Sequence, residues 1–193
     1  NSIQSVVIAG NTDKAINYLA KFSNLMRFIL THSQKPFVNL SDEIKAMEIY
    51  LDVERLRFDN KFNYSFEIDP DIDEEFIEIP PMIIQPYIEN AILHGLLNKE
   101  GTGTLKIQLK LKDKEYISCI VEDDGIGREK SAEIRQRSGL KHKSKGMAIT
   151  QKRLEILNKS SKDEANVKIT DLKDGQNNSL GTRVEILIIY KEV

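Results

Sequence analysis

The run "IENAILHG", Ile88 to Gly95, sets Glu89, Asn90 and His94 within an otherwise apolar stretch. On a helix Asn90 and His94 lie four apart and share a face, while Ile88, Ala91 and Ile92 turn towards a core. An Asn oxygen is a suitable neutral ligand for Mg²⁺, which takes one or two protein ligands and completes its shell with phosphate oxygens and water. Further on, "VEDDGIGR" at 121–128 puts Asp123 at a strand end, where a carboxylate can accept from a planar donor such as an adenine amino group. Gly125 and Gly127 allow close approach there. The segment "REKSAEIRQRSGLKHKSK" at 128–145 carries seven Lys or Arg against two Glu, and its length suits a lid better than a plain connector. It leads to Gly146 and a helix start, where free N–H groups favour a phosphate. Last, "SLGTRVEIL" at 179–187 reads as a Gly-Thr turn opening a strand, with Thr182 able to hydrogen-bond at the sheet end. Each signal alone also fits a plainer account: a helix with an exposed Asn and a capping His, a glycine turn, a solvated charged loop, a hairpin turn.

The elements that must position these residues change style along the chain. Ile3, Val6 and Val7, then the turn "GNTD" at 10–13, then Ile16, Leu19, Leu25, Met26 and Ile29 predict a helical hairpin. Beyond Pro36, Ser41 is expected to cap a third helix with Asp42 and Glu43 in its first turn, running to about Phe58. That helix is apolar on two faces, with Ile44, Met47 and Leu51 on one and Ile49, Tyr50 and Val53 towards another, so the hairpin or a second subunit must cover the extra face. From about residue 61 strands alternate with helices. "TLKIQLKL" at 104–111 points Leu105, Ile107 and Leu109 one way and Lys106, Gln108 and Lys110 the other. With "NYSFEI" at 63–68, "EYISCIVE" at 115–122, a helix at 146–160, "NVKITD" and "RVEILIIY", the expected fold is α+β. It is a two-layer α/β sandwich whose sheet has one polar face.

Composition excludes several classes. Lys plus Arg (28) nearly balances Asp plus Glu (30), and 40% of the 193 residues are hydrophobic, which fits neither a nucleic-acid binder nor a disordered tail. The single Cys119 permits no intramolecular disulfide or multi-cysteine zinc site, and reads as a buried strand residue of a reducing, cytosolic compartment. No apolar run approaches the roughly 18 to 20 residues of a membrane-spanning helix. The chain starts at Asn1 without Met, as a fragment of something longer would.

The order of the four signals resembles the GHKL, or Bergerat, ATP-binding domain of histidine kinases, gyrases, Hsp90-type chaperones and mismatch-repair ATPases. Closer still, "NSIQSVV", "YLAKFSNLMRFIL", "YLDVERLRF", "IPPMIIQPYIENAILHG" and "DDGIGR" together resemble the LytS-like sensor histidine kinases over most of the chain. The resemblance implies ATP and Mg²⁺ as cofactors, with Asn90 holding the metal, and Glu89 and His94 on the phosphate side as the catalytic group. Asp123 would receive the adenine amino group and Gly125 and Gly127 would shape the base pocket. Arg128, Lys145, Gly146 and Met147 would frame the lid, and Thr182 would support the adenine end. It further implies residues 1–37 as the remnant of a dimerisation and phosphoacceptor hairpin, and 38–193 as the catalytic domain with 38–60 as connecting helix. The partners would be a second copy in the full-length protein and a response regulator, often of LytTR type. No direct nucleic-acid contact is expected, and the membrane would enter only through an N-terminal part not in this chain, leaving this piece cytoplasmic.

Three departures qualify that picture. Hydrolysing members carry a water-activating Glu four residues before the metal Asn, where this chain has Pro86. The glycine run before the lid helix is reduced to "KSKGMA", with Lys143 and Lys145 in place of small residues. The phosphate-accepting His of the family lies upstream of "NSIQ", and none of His32, His94 or His142 has its context. Two alternatives follow, a nucleotide-weak interaction module of the same fold and a GHKL ATPase, the second disfavoured by Pro86.

Overall fold

The computed structural model describes residues 8, 10–138, 145–157 and 166–193. Ile3, Val6 and Val7 of the expected first hairpin helix, and His142 and Lys143 of the lid, lie outside those residues. Helix α1, Thr12–His32, starts where the sequence predicts, with the Asn11 side chain accepting from the Lys14 N–H at 3.1 Å after Gly10 at φ +71°. A two-residue strand β1, Val38–Asn39, then feeds α2, Leu40–Arg57. Ser41 does not cap that helix: Asn39 holds the cap position with no side-chain bond, and Ser41 is buried in the first turn. Ile44, Met47 and Leu51 face the main core, and α1 packs on α2 with the Lys21–Asp52 ion pair and a His32–Asp42 contact between them, and with Lys14 paired to Asp59 just past the end of α2. Helix α1 is therefore part of what covers the second apolar face.

The strands are β2 (Phe62–Ile68), β3 (Ile77–Ile79), β4 (Gly103–Leu111), β5 (Tyr116–Asp123), β6 (Val167–Lys173), β7 (Ser179–Ile189) and β8 (Lys191–Glu192). Five of them form one sheet in the order β2-β4-β5-β7-β6, with β2 and β4 parallel and every other pair antiparallel. Alternation decides its faces: Leu105, Ile107, Leu109, Cys119, Val121 and Ile186 are buried beneath the helices, and Lys106, Gln108, Glu122 and Glu185 line the other side. Cys119 is fully buried, as its strand setting predicts. The short strands β1, β3 and β8 form a second antiparallel sheet that the sequence pattern did not announce.

The helical layer is completed by α3 (Gln85–Asn90), a π-helical turn (Ala91–Leu96), α4 (Gly127–Ser138) and α5 (Lys145–Leu157). Ile84, Ile88, Ile92, Leu96 and Leu154 sink into the core against the sheet, which makes the expected two-layer arrangement. Three local expectations change. The segment after Arg128 is helical through Ser138 rather than a loop. Gly181 and Thr182 sit inside β7 rather than opening it, with Gly181 at φ +125° opposite an irregularity in β6. Asn90 and His94 do not share a regular α-helix, because the winding widens after Asn90 and the Leu97 N–H reaches the Ile92 oxygen at 3.0 Å.

Candidate nucleotide site

A pocket opens between α3 with its π-helical turn, the ends of β5 and β7, strand β6, α4 and the start of α5. Its walls bring together Asn90 and His94 from the helix, Asp123 from β5, Gly127 and Arg128 from α4, and Met147 from α5. Thr182 and Val184 from β7 and Ile169 from β6 close the far side. Of the other residues singled out in the sequence, Gly125 lies behind the wall, Gly146 is exposed, and Glu89 is half-buried on the side of α3 that faces Tyr50 and Glu54 of α2. Lys145 is the first residue of α5.

Each polar wall residue is held by its local structure. Asp123 ends β5 paired with Thr182, its side chain only 4% exposed. The Gly125 N–H donates to its Oδ1 at 2.9 Å, and the Thr182 backbone N–H helps to hold the carboxylate. Burial outweighs these donors and pushes its pKa up to about 6, with the neighbouring Asp124 and Glu122 adding to the rise. Asp124 has the different task of tying the sheet, accepting from the Thr104 N–H at 2.7 Å and pairing with Lys99 at 2.8 Å. One acidic pair thus divides into a pocket acceptor and a structural tie.

Asn90 donates its side-chain N–H to the Pro86 oxygen, which fixes the amide and leaves Oδ1 without a protein partner among the described residues. Pro86, second in α3, keeps its ring in the first turn, where no N–H is missed. Arg128 makes a two-pronged ion pair with Asp171 at 2.7 and 2.6 Å, and Lys173 reaches Glu129 at 3.2 Å, so α4 is clipped to β6 at the pocket rim. The pocket wall also includes Tyr87, 2% exposed, whose hydroxyl meets no partner among the described residues. These groups fit a Mg²⁺-bound nucleotide. An uncommitted amide oxygen suits the metal, a buried carboxylate suits a base amino group, and apolar Ile169, Val184 and Met147 suit a flat ring.

Three residues were missed by sequence reasoning. Gly95 was read as following a capping His, but a Cβ there would fall 2.5 Å from Asp123 Oδ1. Gly181 allows a similar approach, since its Cβ would fall 1.8 Å from the Asp123 backbone oxygen. Tyr87 is not singled out by the sequence. Only Gly95 carried a usable signal, a glycine at the end of a helix that the helix does not need for capping.

The chain is similar to histidine kinases in sequence and in fold. The Histidine kinase family model matches residues 1–62. The chain is 36% identical over 116 residues to "Putative uncharacterized protein YwpD" of Bacillus subtilis, covering 60% of this chain and 41% of that one. It is 28% identical over 188 residues to "Sensor protein LytS" of Oceanobacillus iheyensis, covering 94% of this chain and 30% of that one. The chain therefore spans less than half the length of these relatives. Among solved structures, the mycobacterial sensor histidine kinase MprB superposes with TM-score 0.51 at 13% identity, over 81% of this chain and 98% of that one. The histidine kinase domain of the Erythrobacter litoralis EL346 blue-light activated kinase does so with TM-score 0.52 at 13% identity, over 94% and 82%.

Proposed function

We propose that this chain, a LytS-like histidine kinase in sequence with the kinase catalytic fold, binds ATP with Mg²⁺ and serves transfer of the γ-phosphoryl group to a histidine of its dimerisation helices. The observation that carries the reading is that Asn90, its Oδ1 without a partner among the described residues, and the buried Asp123 line one pocket. Asp123 accepts from the adenine amino group, Thr182 supports that end, and Asn90 holds the metal, while His94, expected from the sequence on the phosphate side, stands next to Gly95 towards the Asp123 end. When bound, Mg²⁺ supplies charge neutralisation to the phosphates. Arg128, Lys145, Gly146 and Met147 bound the lid side.

The acceptor imidazole is a nucleophile when neutral, so the protein's task is orientation. Glu89, on the α2 side of the site helix, is the group proposed to hold or take the second imidazole proton. Pro86 offers no base where hydrolysing relatives have Glu, so transfer is favoured over hydrolysis. Residues 1–37 are read as part of the dimerisation hairpin, in keeping with the exposed Ile16, Leu19, Phe22, Met26 and Leu30 of α1. The phosphoryl group would pass to a response regulator, of LytTR type by resemblance.

The test is calorimetric titration with a non-hydrolysable ATP analogue, with and without Mg²⁺, beside Asn90→Ala and Asp123→Ala. Micromolar to millimolar binding that Asp123→Ala abolishes, and whose Mg²⁺ dependence Asn90→Ala removes, is the expected result. A folded wild-type chain that binds nothing would refute the reading.

A further inference from the structure

Four buried side-chain atoms have no hydrogen-bond partner among the described residues: Glu43 Oε2, Arg55 Nε and the hydroxyls of Tyr87 and Tyr116. Of these residues Tyr87 alone belongs to the pocket wall. A phenol that loses its hydrogen bonds to water on folding carries a cost that nothing in the described protein offsets. Such a group is either a packing defect or is kept for a ligand.

Its place on the helix separates the two. Tyr87, Asn90, Ala91 and His94 recur at helical spacing, and all four line the pocket, so Tyr87 belongs to the pocket-facing stripe. Gly95, at the other end of that stripe, lies against Asp123. Along the winding from Gly95 at the Asp123 end, Asn90 comes first and Tyr87 lies three residues beyond it. With the base at Asp123, that order places Tyr87 past Asn90, where an extended nucleotide carries its outer phosphates. Burial holds the phenol neutral, its pKa pushed up to about 12, so at neutral pH it has a proton to donate.

Resting on the nucleotide reading, we propose that the Tyr87 hydroxyl is a binding group of this pocket that donates to the outer phosphates of the bound nucleotide and so favours nucleoside triphosphate over monophosphate. A charge-assisted hydrogen bond of this kind is shorter and stronger than a neutral one.

Tyr87→Phe tests it, because it removes one oxygen and keeps the ring. Affinities of wild type and variant for a non-hydrolysable ATP analogue with Mg²⁺ and for AMP are measured by calorimetry, and thermal unfolding is followed without ligand. The expected result is a roughly ten-fold loss for the ATP analogue, an unchanged affinity for AMP, and an unliganded midpoint that is equal or higher. Equal ATP-analogue affinity in both proteins would make the hydroxyl a packing defect and overturn the proposal. An equal loss for AMP would move the contact to the base or ribose and overturn the phosphate assignment. A lowered midpoint would reveal a protein partner for the hydroxyl, with the same consequence. If neither protein binds any nucleotide, the site reading itself fails and this inference with it, whereas wild-type binding unaltered by Tyr87→Phe refutes only the inference.

Discussion

Gly95 and Gly125 meet backbone to backbone: a Cβ on Gly125 would lie 2.4 Å from the Gly95 carbonyl carbon, and the Ile126 N–H reaches the Gly95 oxygen at 3.3 Å. The two stretches with the strongest chemical signal in the sequence are joined by a contact that leaves no room for a side chain. Gly125→Ala must part these backbones, so a loss of about 1–3 kcal/mol is expected. For a chain of this length that lowers the thermal midpoint by about 2–4 °C per kcal/mol. Gly95→Ala meets the movable Asp123 carboxylate instead, so it should cost less stability and still remove nucleotide binding. Thermal unfolding of both variants beside analogue titration checks this; retained affinity in Gly95→Ala would contradict it.

Glu43 supplies a pH dependence. Its Oε1 accepts from the N–H of Met82 at 2.7 Å, with Met82 at φ +58° just ahead of α3, and burial pushes its pKa up to about 7 despite Met82 and the nearby Arg153. Since the folded pKa is raised above the unfolded value, folding favours the protonated acid. The stabilisation is full below about pH 4.5 and is lost as pH rises towards 7. Glu43→Gln keeps an acceptor for Met82 and cannot ionise. Its stability relative to wild type is expected to rise by about 1–3 kcal/mol between pH 5 and pH 8. Urea unfolding at both values measures it, and a pH-independent difference would exclude Glu43 as the titrating group.

Arg128 faces two tasks, the clip to Asp171 and the pocket wall. The clip is partly exposed, so Asp171→Asn should change stability by less than about 1 kcal/mol. If Arg128 also meets phosphate, Arg128→Ala weakens analogue binding more than Asp171→Asn does. Equal effects on affinity would reduce Arg128 to the clip alone.

Glu89 lies off the pocket wall, so Glu89→Gln in a kinase that includes the acceptor hairpin should leave nucleotide affinity unchanged while slowing autophosphorylation about 10²-fold or more. An unchanged transfer rate would remove Glu89 from the chemistry.

What could be read in advance followed from short-range rules. The period of two in β4 fixed its buried face, and residue type and motif order singled out Asn90 and Asp123, which line one pocket. Helix α4 escaped notice because half of its residues are charged and its one large aliphatic residue, Ile134, is exposed, which leaves no apolar period to detect. Strands β1, β3 and β8 are two or three residues long, too short for alternation to register. Gly95 and Glu43 were misjudged for a different reason. Each looks locally like a helix-end residue, while its partner, Gly125 or Met82, lies 30 or more positions away in the chain.

Residues 69–102, which carry α3 and its π-helical turn, form the crossover between the parallel strands β2 and β4. Neither strand can complete its pairing until that whole span has been looped out, and the entropy of closure must be met before any contact it makes can compensate. The wall that α3 gives the pocket is therefore expected to form late in folding. Ligand added during refolding should therefore leave the folding rate unchanged and slow only unfolding.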